Sequence, residues 1–393
     1  MTLETIEFHP IASLFPLMEG DEFEALAFDI QVHGLLQPIV KYKGMILDGR
    51  NRYLACGSSE VMPKFIEYKG DDPAGFVTSM NIERRHLTPT QRACIGVELL
   101  PFYKKAANER QGTRTDISQK VDECYGRATD FVAEKVHVNR QYISDAESIK
   151  EKRPELFDEM KGGLIHLKEA LHKIHEDERT KQRQKIADEG SKIPPSEKWH
   201  VWQADVNTWK APRQYDFIIT DPPYPKEYLP LWNTLAKRAG EWLKPGGLLV
   251  AMSGGSYLNE IIKIFDEHLA YYWTGCYLTP GQTASLRQKQ VNTQWKPILI
   301  YSVGDEYKGK IFSDVYQSDK NDKNFHEWGQ STSGMLSIVK QICLPGQYIL
   351  DPFCGAGATG VAAIIHGCLF DGIDIEIDNV NIAKARLNDA SKE

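Results

Sequence analysis

The run Tyr348-Ile-Leu-Asp351-Pro-Phe-Cys-Gly355-Ala-Gly357-Ala-Thr-Gly360 constrains this chain more than any other stretch. Apolar residues end in a carboxylate, spaced glycines follow, and a helix is expected from about Ala358. That is a strand feeding a tight turn and a helix, the unit of doubly wound α/β sheets. The glycines let the backbone approach a ligand closely. An acid ahead of them disfavours a pyrophosphate, which would rather meet bare amides, and suits a cation such as an amino group. About twenty residues later a second predicted strand, Leu369-Phe-Asp-Gly-Ile-Asp374, ends in another acid. A carboxylate there can accept both hydroxyls of a ribose, with Glu376 as a nearby competitor.

A second stretch adds chemistry. Tyr215-Asp-Phe-Ile-Ile-Thr220 reads as a short buried strand and is stopped by Asp221-Pro222-Pro223-Tyr224. Two prolines stiffen the loop, and proline keeps its carbonyl while lacking a donor. Such a loop offers a carboxylate, a carbonyl acceptor and an aromatic face to a planar amine. The order of the remaining segments also alternates. Leu229–Trp242 and Leu258–His268 have helical spacing, while Leu243–Ala251, Tyr271–Tyr277 and Trp295–Tyr301 read as strands.

Together the two loops resemble those of DNA amino-methyltransferases, which methylate adenine N6 or cytosine N4. The resemblance covers about 200–390 and, with the Asp221 loop ahead of the Asp351 loop, the permuted β-type order of that family. It implies a Rossmann-like domain that uses S-adenosylmethionine. Asp351, Phe353, Gly355, Gly357 and Asp374 then line the cofactor, and Asp221, Pro222, Pro223 and Tyr224 form the catalytic loop. Asp at the first catalytic position favours adenine, where serine is more usual for cytosine N4. Before the cofactor strand, His326-Glu-Trp-Gly-Gln-Ser331 stands where the family has its last cofactor-lining segment, but Ser331-Thr332 replaces the usual Lys-Pro.

The front of the chain has a different character. All eight tryptophans lie at or after Trp199. Residues 1–100 read as a mixed α+β domain, 101–175 as helical, 176–198 as a helix extension and charged linker, and 199–393 as the domain just described. Gly34-Leu-Leu-Gln-Pro38, Asp48-Gly49 with Arg52-Tyr53, and Asn81 with Arg84 and Leu87-Thr-Pro89 resemble the ParB/sulfiredoxin-like family. That resemblance implies a cytidine-nucleotide or phosphate site at Arg50, Arg52 and Arg84. Arg50-Asn51 departs from the family's Gly-Glu-Arg-Arg form, and arginines that brace the fold or touch DNA phosphate are the competing reading. Thr129–Ile149 has the spacing of a helix-turn-helix, with Asn139 capping a second helix opened by Arg140, Gln141 and Tyr142. His137 stands where a turn glycine is usual, and a plain helical hairpin is the alternative.

The totals set outer limits. With 393 residues, two or three domains are expected. Seven scattered cysteines, never spaced C-x-x-C, point away from a disulfide framework or a metal site and towards the cytoplasm. No stretch approaches the roughly 20 apolar residues of a membrane span. A net charge of −7 does not favour nucleic-acid binding, yet phosphate contact requires only a local basic face. DNA is the expected partner; nothing in the sequence fixes the oligomeric state, and a dimer is compatible with it. The reading that results is an adenine-N6 DNA methyltransferase with a DNA-binding front. Its competitors are a methyltransferase of cytosine N4, RNA or protein, and a ParB-like regulator with a degenerate rear domain.

Overall fold

In the computed structural model the chain divides into two compact units, Met1–Asp177 and Glu178–Glu393. The structure describes residues 5–15, 17–82, 87–111, 121–194, 196–278, 284–286, 289–304, 306–318 and 331–392.

The first unit opens with α1 (Gly20–His33), whose chain leaves through Gly34 at φ +72°. A small sheet follows, made of β1 (Ile39–Tyr42), β2 (Met45–Asp48) and, after α2 (Arg50–Ser58), β3 (Phe65–Glu67). β1 is central, antiparallel to β2 and parallel to β3. Lys43 and Gly44, at φ +48° and +79°, make the two-residue turn between β1 and β2. Pairing of β1 starts at Ile39, after Pro38, which has no N–H for the ladder. Then come α3 (Pro73–Ile82), α4 (Pro89–Gln111), α5 (Val121–Lys135), α6 (Arg140–Lys152), α7 (Pro154–Gly162) and α8 (Leu167–Gly190). Thr88 and Gln91 form the reciprocal cap at the start of α4, with N–H···O distances of 3.2 and 3.1 Å. One core joins Ile11, Leu47 and Val77 to Val132, Ile143 and Phe157, so the α+β part and the helical part are built around shared apolar contacts.

α5 and α6 enclose a short turn. Val132, Val136, Ile143 and Ala146 are fully buried between them. The Asn139 side chain accepts from the Tyr142 amide at 2.9 Å and starts α6. His137 takes the left-handed conformation at φ +54°, and the Val138 N–H reaches back to the Ala133 carbonyl at 3.0 Å. This is the helix ending that normally carries glycine.

The second unit is one eight-stranded sheet with helices on both faces. Its elements in order are β4 (Trp199–Gln203), β5 (Tyr215–Thr220), α9 (Leu229–Trp242), β6 (Leu243–Met252), α10 (Leu258–Asp266), β7 (Ala270–Leu278), β8 (Ala284–Leu286), β9 (Val291–Thr293), β10 (Trp295–Ser302), β11 (Val315–Gln317), α11 (Thr332–Ile342), β12 (Tyr348–Asp351), α12 (Ala358–Ile365), β13 (Leu369–Asp374) and α13 (Ile377–Ala390). The strand order is β11-β7-β10-β6-β5-β12-β13-β4, and β10 runs antiparallel to both neighbours. β8 and β9 pair separately as a hairpin. Alternation along β5 explains the layers. Phe217 and Ile219 face the helices α11, α12 and α13, while Ile218 faces α9 and α10, and a register shift between Tyr215 and Phe217 turns Tyr215 to that second face as well. Both faces are covered, as a parallel centre requires.

The charged segment after His175 stays helical to Gly190, and its last turns are part of the second unit. Ala187 meets Ala356 and Ile382 in one apolar cluster, and Arg183 donates to the Asn379 side chain at 3.0 Å. Among the described residues no helix is long and apolar enough to cross a membrane.

Candidate active site

β5 and β12 lie side by side and parallel, with Ile349 opposite Phe217 and Leu350 opposite Ile218. From β5 the chain crosses to β6 on one side, and from β12 to β13 on the other. The carboxyl ends of these strands therefore flank a topological switch point, where open α/β sheets bind ligands. A cavity of about 830 Å³ opens there. Its wall includes Asp221, Pro222, Pro223 and Tyr224 from one loop and Asp351, Phe353, Gly355 and Asp374 from the other. Two motifs separated by 130 positions in sequence thus share one chamber.

The catalytic-loop candidates are held by neighbours. Trp232, fully buried in α9, donates its indole N–H to the Pro223 carbonyl at 3.0 Å. The Tyr224 hydroxyl donates to an oxygen of Asp221. Tyr224's ring rests on the backbone of Gly254, where a Cβ would sit 3.2 and 3.3 Å from two ring carbons. The Lys296 ammonium stands 5.1 Å from the ring centroid. Burial, with Asp221 alongside, pushes the Tyr224 phenol well above its ordinary range, so at neutral pH it is a neutral donor.

The second loop is fixed by its acids. Asp351 is buried and accepts from the Thr220 hydroxyl at 2.7 Å and the Phe353 amide at 3.1 Å. Burial raises its pKa to about 6, against hydrogen bonds from Thr359, Thr220 and the Phe353 amide that lower it. Asp374 accepts the Gly355 amide at 2.9 Å through one oxygen, and the Glu376 amide at 2.9 Å and the Asn379 amide group at 3.1 Å through the other. Gly355 and Gly357 have φ of +49° and +79°, and a Cβ on Gly357 would meet that of Ala383 at 2.9 Å. Glycine is needed at 357 twice over, for its dihedral angle and for the approach of α13. Cys354 is no nucleophile, because burial pushes its thiol far up.

Several wall residues were not legible as site residues. Lys296, Gly254, Asn379 and Arg386 line the cavity from elements whose sequences read only as strand, turn or helix. Trp232 and Thr220 act on the loops from behind. A tryptophan among the apolar positions of an amphipathic helix gives no signal that its N–H holds a distant carbonyl.

The remaining candidates lie in the first unit. Arg140 and Gln141 are exposed at the start of α6, with Tyr142 half-buried behind them. Arg140 lies 3.6 Å from Asp130, and Gln141 donates to Asp145 at 2.6 Å. Arg50 donates to the Phe15 carbonyl and stacks over Phe8, while Arg52 pairs with Asp48 at 2.6 Å and reaches the Gln37 side chain at 3.2 Å. Arg84 and His326–Gln330 lie outside the described residues.

Comparison with known proteins bears on the second unit. Residues 215–385 match the family model described as DNA methylase, of the N6/N4 kind. That match spans less than half of the chain. The chain is 40% identical over 119 residues to the type II methyltransferase M2.LlaDCHI of Lactococcus lactis subsp. cremoris, a match over 28% of this chain and 44% of that protein. It is 25% identical over 217 residues to the type II methyltransferase M.HpaI of Haemophilus parainfluenzae, over 44% of this chain and 68% of the relative. The chain thus spans less than half of the first relative's length. Among solved structures, the crystal structure of the M1.HpyAVI–SAM complex is 20% identical, covering 48% of this chain and 99% of that one with a TM-score of 0.41.

Proposed function

We propose that the protein transfers a methyl group from S-adenosylmethionine to N6 of adenine in DNA, acting on a base turned out of the duplex. The observation that carries this reading is the single cavity shared by the Asp221 loop and the Asp351–Asp374 loop. The residues present fit the cofactor. Asp351 is a buried acid able to meet an ammonium, Asp374 has lone pairs left for ribose hydroxyls beside the glycine turn, and Phe353 offers an apolar wall. When bound, S-adenosylmethionine supplies an electrophilic methyl group on sulfonium.

The chain's own residues do the rest. Adenine's exocyclic nitrogen is a weak nucleophile because its lone pair is delocalised into the ring. Asp221 and the Pro222 carbonyl accept its two hydrogens and so favour a pyramidal nitrogen with its lone pair free. Tyr224 stacks on the base, after its hydroxyl has given up Asp221 to the incoming amine. Trp232 keeps the loop in register through the neighbouring carbonyl. Catalysis on this account is orientation and local electrostatics, with no covalent intermediate on the protein. The choice of adenine over cytosine rests on Asp221, since an acid at that position is the resemblance's adenine form. The first unit serves as the DNA-binding part, with Arg140, Gln141 and Tyr142 at the start of its recognition helix.

The test is to incubate the full chain with unmethylated genomic DNA and methyl-labelled S-adenosylmethionine, then digest and identify the labelled nucleoside. N6-methyladenine is expected, and Asp221→Ala should abolish it while cofactor binding persists. Label in N4-methylcytosine would overturn the base assignment. Label absent from DNA, with cofactor bound, would turn the reading to RNA or protein.

A further inference from the structure

The described wall of the cavity carries three carboxylates, Asp221, Asp351 and Asp374, and two cations, Lys296 and Arg386. Lys296 stands over the Tyr224 ring, on the catalytic-loop side. Arg386 belongs to the opposite wall. It rises from α13 and donates to the Ala356 carbonyl, inside the glycine turn, at 2.7 Å. A second guanidinium nitrogen donates to the Thr332 hydroxyl at 2.9 Å, at the first residue of α11. Both acceptors lie among the described residues. They fix the plane of the guanidinium at the junction of the glycine turn and the amino end of an eleven-residue helix. A helix start favours negative charge, and the Arg386 fork matches a planar carboxylate.

On the cofactor reading above, on which this step rests, the ligand's amino-acid end carries one positive and one negative group. Asp351 answers the first. We propose that Arg386 binds the α-carboxylate of S-adenosylmethionine, so that the glycine turn is flanked by an acid for the ammonium and a base for the carboxylate. Arg386 is then a cofactor-binding residue contributed by the helix after the ribose acid, a position that no motif in the sequence marks. In a chamber with three acids, a cofactor lacking its carboxylate would otherwise bind at least as well as the natural one.

The test compares binding of S-adenosylmethionine and decarboxylated S-adenosylmethionine to the full chain by calorimetry, without DNA and without turnover. The unaltered protein is expected to prefer the carboxylated form by about 10- to 100-fold, the range of a charge-assisted hydrogen bond. Arg386→Gln should lower affinity for S-adenosylmethionine by a similar factor and bring the preference close to one. Arg386→Lys should keep part of it. 5′-Methylthioadenosine, which has no amino-acid end, should bind Arg386→Gln as it binds the parent, showing that the variant is folded around its adenosine half. A preference retained by Arg386→Gln would overturn the proposal, as would a parent protein that does not discriminate. A parent protein that binds none of the three would overturn the cofactor reading, and the Arg386 assignment with it.

Discussion

Trp232→Phe isolates the hold on the catalytic loop. The indole is fully buried, lies 5.8 Å from the Phe265 ring, and gives its only N–H to the Pro223 carbonyl. Phenylalanine keeps an aromatic side chain there but removes the donor. Leaving a buried carbonyl unsatisfied costs about 1–3 kcal/mol, an upper bound for the half-buried Pro223 at the cavity wall. The smaller ring leaves a void that adds on the order of 1 kcal/mol. A loss of roughly 2–4 kcal/mol should lower the melting temperature of a unit of this size by roughly 5–15 °C. The functional effect should exceed what stability alone explains. A loop shifted by about an ångström can cost roughly 100-fold in rate. At a temperature where the variant is folded, single-turnover methylation should therefore fall about 10- to 100-fold, with S-adenosylmethionine affinity unchanged within about threefold. A variant that melts lower but turns over at the parent rate would refute the reasoning, because the Pro223 carbonyl would then be incidental to placing Asp221.

Other outcomes follow from the same geometry. Asp351 must be ionised to receive an ammonium, and its pKa in the free protein is about 6. S-adenosylmethionine affinity should be flat above about pH 6.5 and fall about tenfold per unit below the pKa, a dependence that Asp351→Asn removes. Because that pKa is raised by folding, ionised Asp351 also costs stability. Its contribution is most favourable below the ordinary carboxylate range and is lost as pH rises through about 6, which melts of the parent and Asp351→Asn across pH 4–7 should show. Gly254→Val drives side-chain carbons into the Tyr224 ring, and should reduce methylation at least tenfold while sparing cofactor affinity in calorimetry. His137→Gly relieves a left-handed histidine at the end of α5 and should raise the stability of the first unit by about 1 kcal/mol in denaturant titration.

What could be read from the sequence were features encoded locally. The ends of β12 and β13, the start of α12, the Asn139 cap and the helix-ending role of Gly34 each follow from a few adjacent residues, and the structure has them there. The site's outer contacts are encoded differently. Asn379 and Arg386 sit on an amphipathic helix whose pattern reports only which face is buried. Arg183 sits in a charge run that reads as a solvated face, and only the fold brings it to Asn379. The antiparallel course of β10 between β6 and β7 was likewise not legible, since apolar runs report burial and not direction. For the arginines near the first strand, the sequence left bracing and ligand binding open, because a short motif does not report which acceptors the fold brings to Arg50 and Arg52.

The hydrogen bond from Tyr224 to Asp221 has a consequence for fidelity. That bond occupies an oxygen of Asp221 against any small donor that drifts in, water included, where the proposed reaction would place an activated methyl group. Each such intruder must first displace a phenol that is already well placed, a contact of the kind worth about 1.5–3 kcal/mol. Water returns one hydrogen bond and no stacking, so it gains little by the exchange. A flipped base returns a hydrogen bond and a ring face together. On the proposed reading the protein therefore wastes little of its donor on solvent, and the residue that guards the acid at rest is the one that receives the substrate when it arrives.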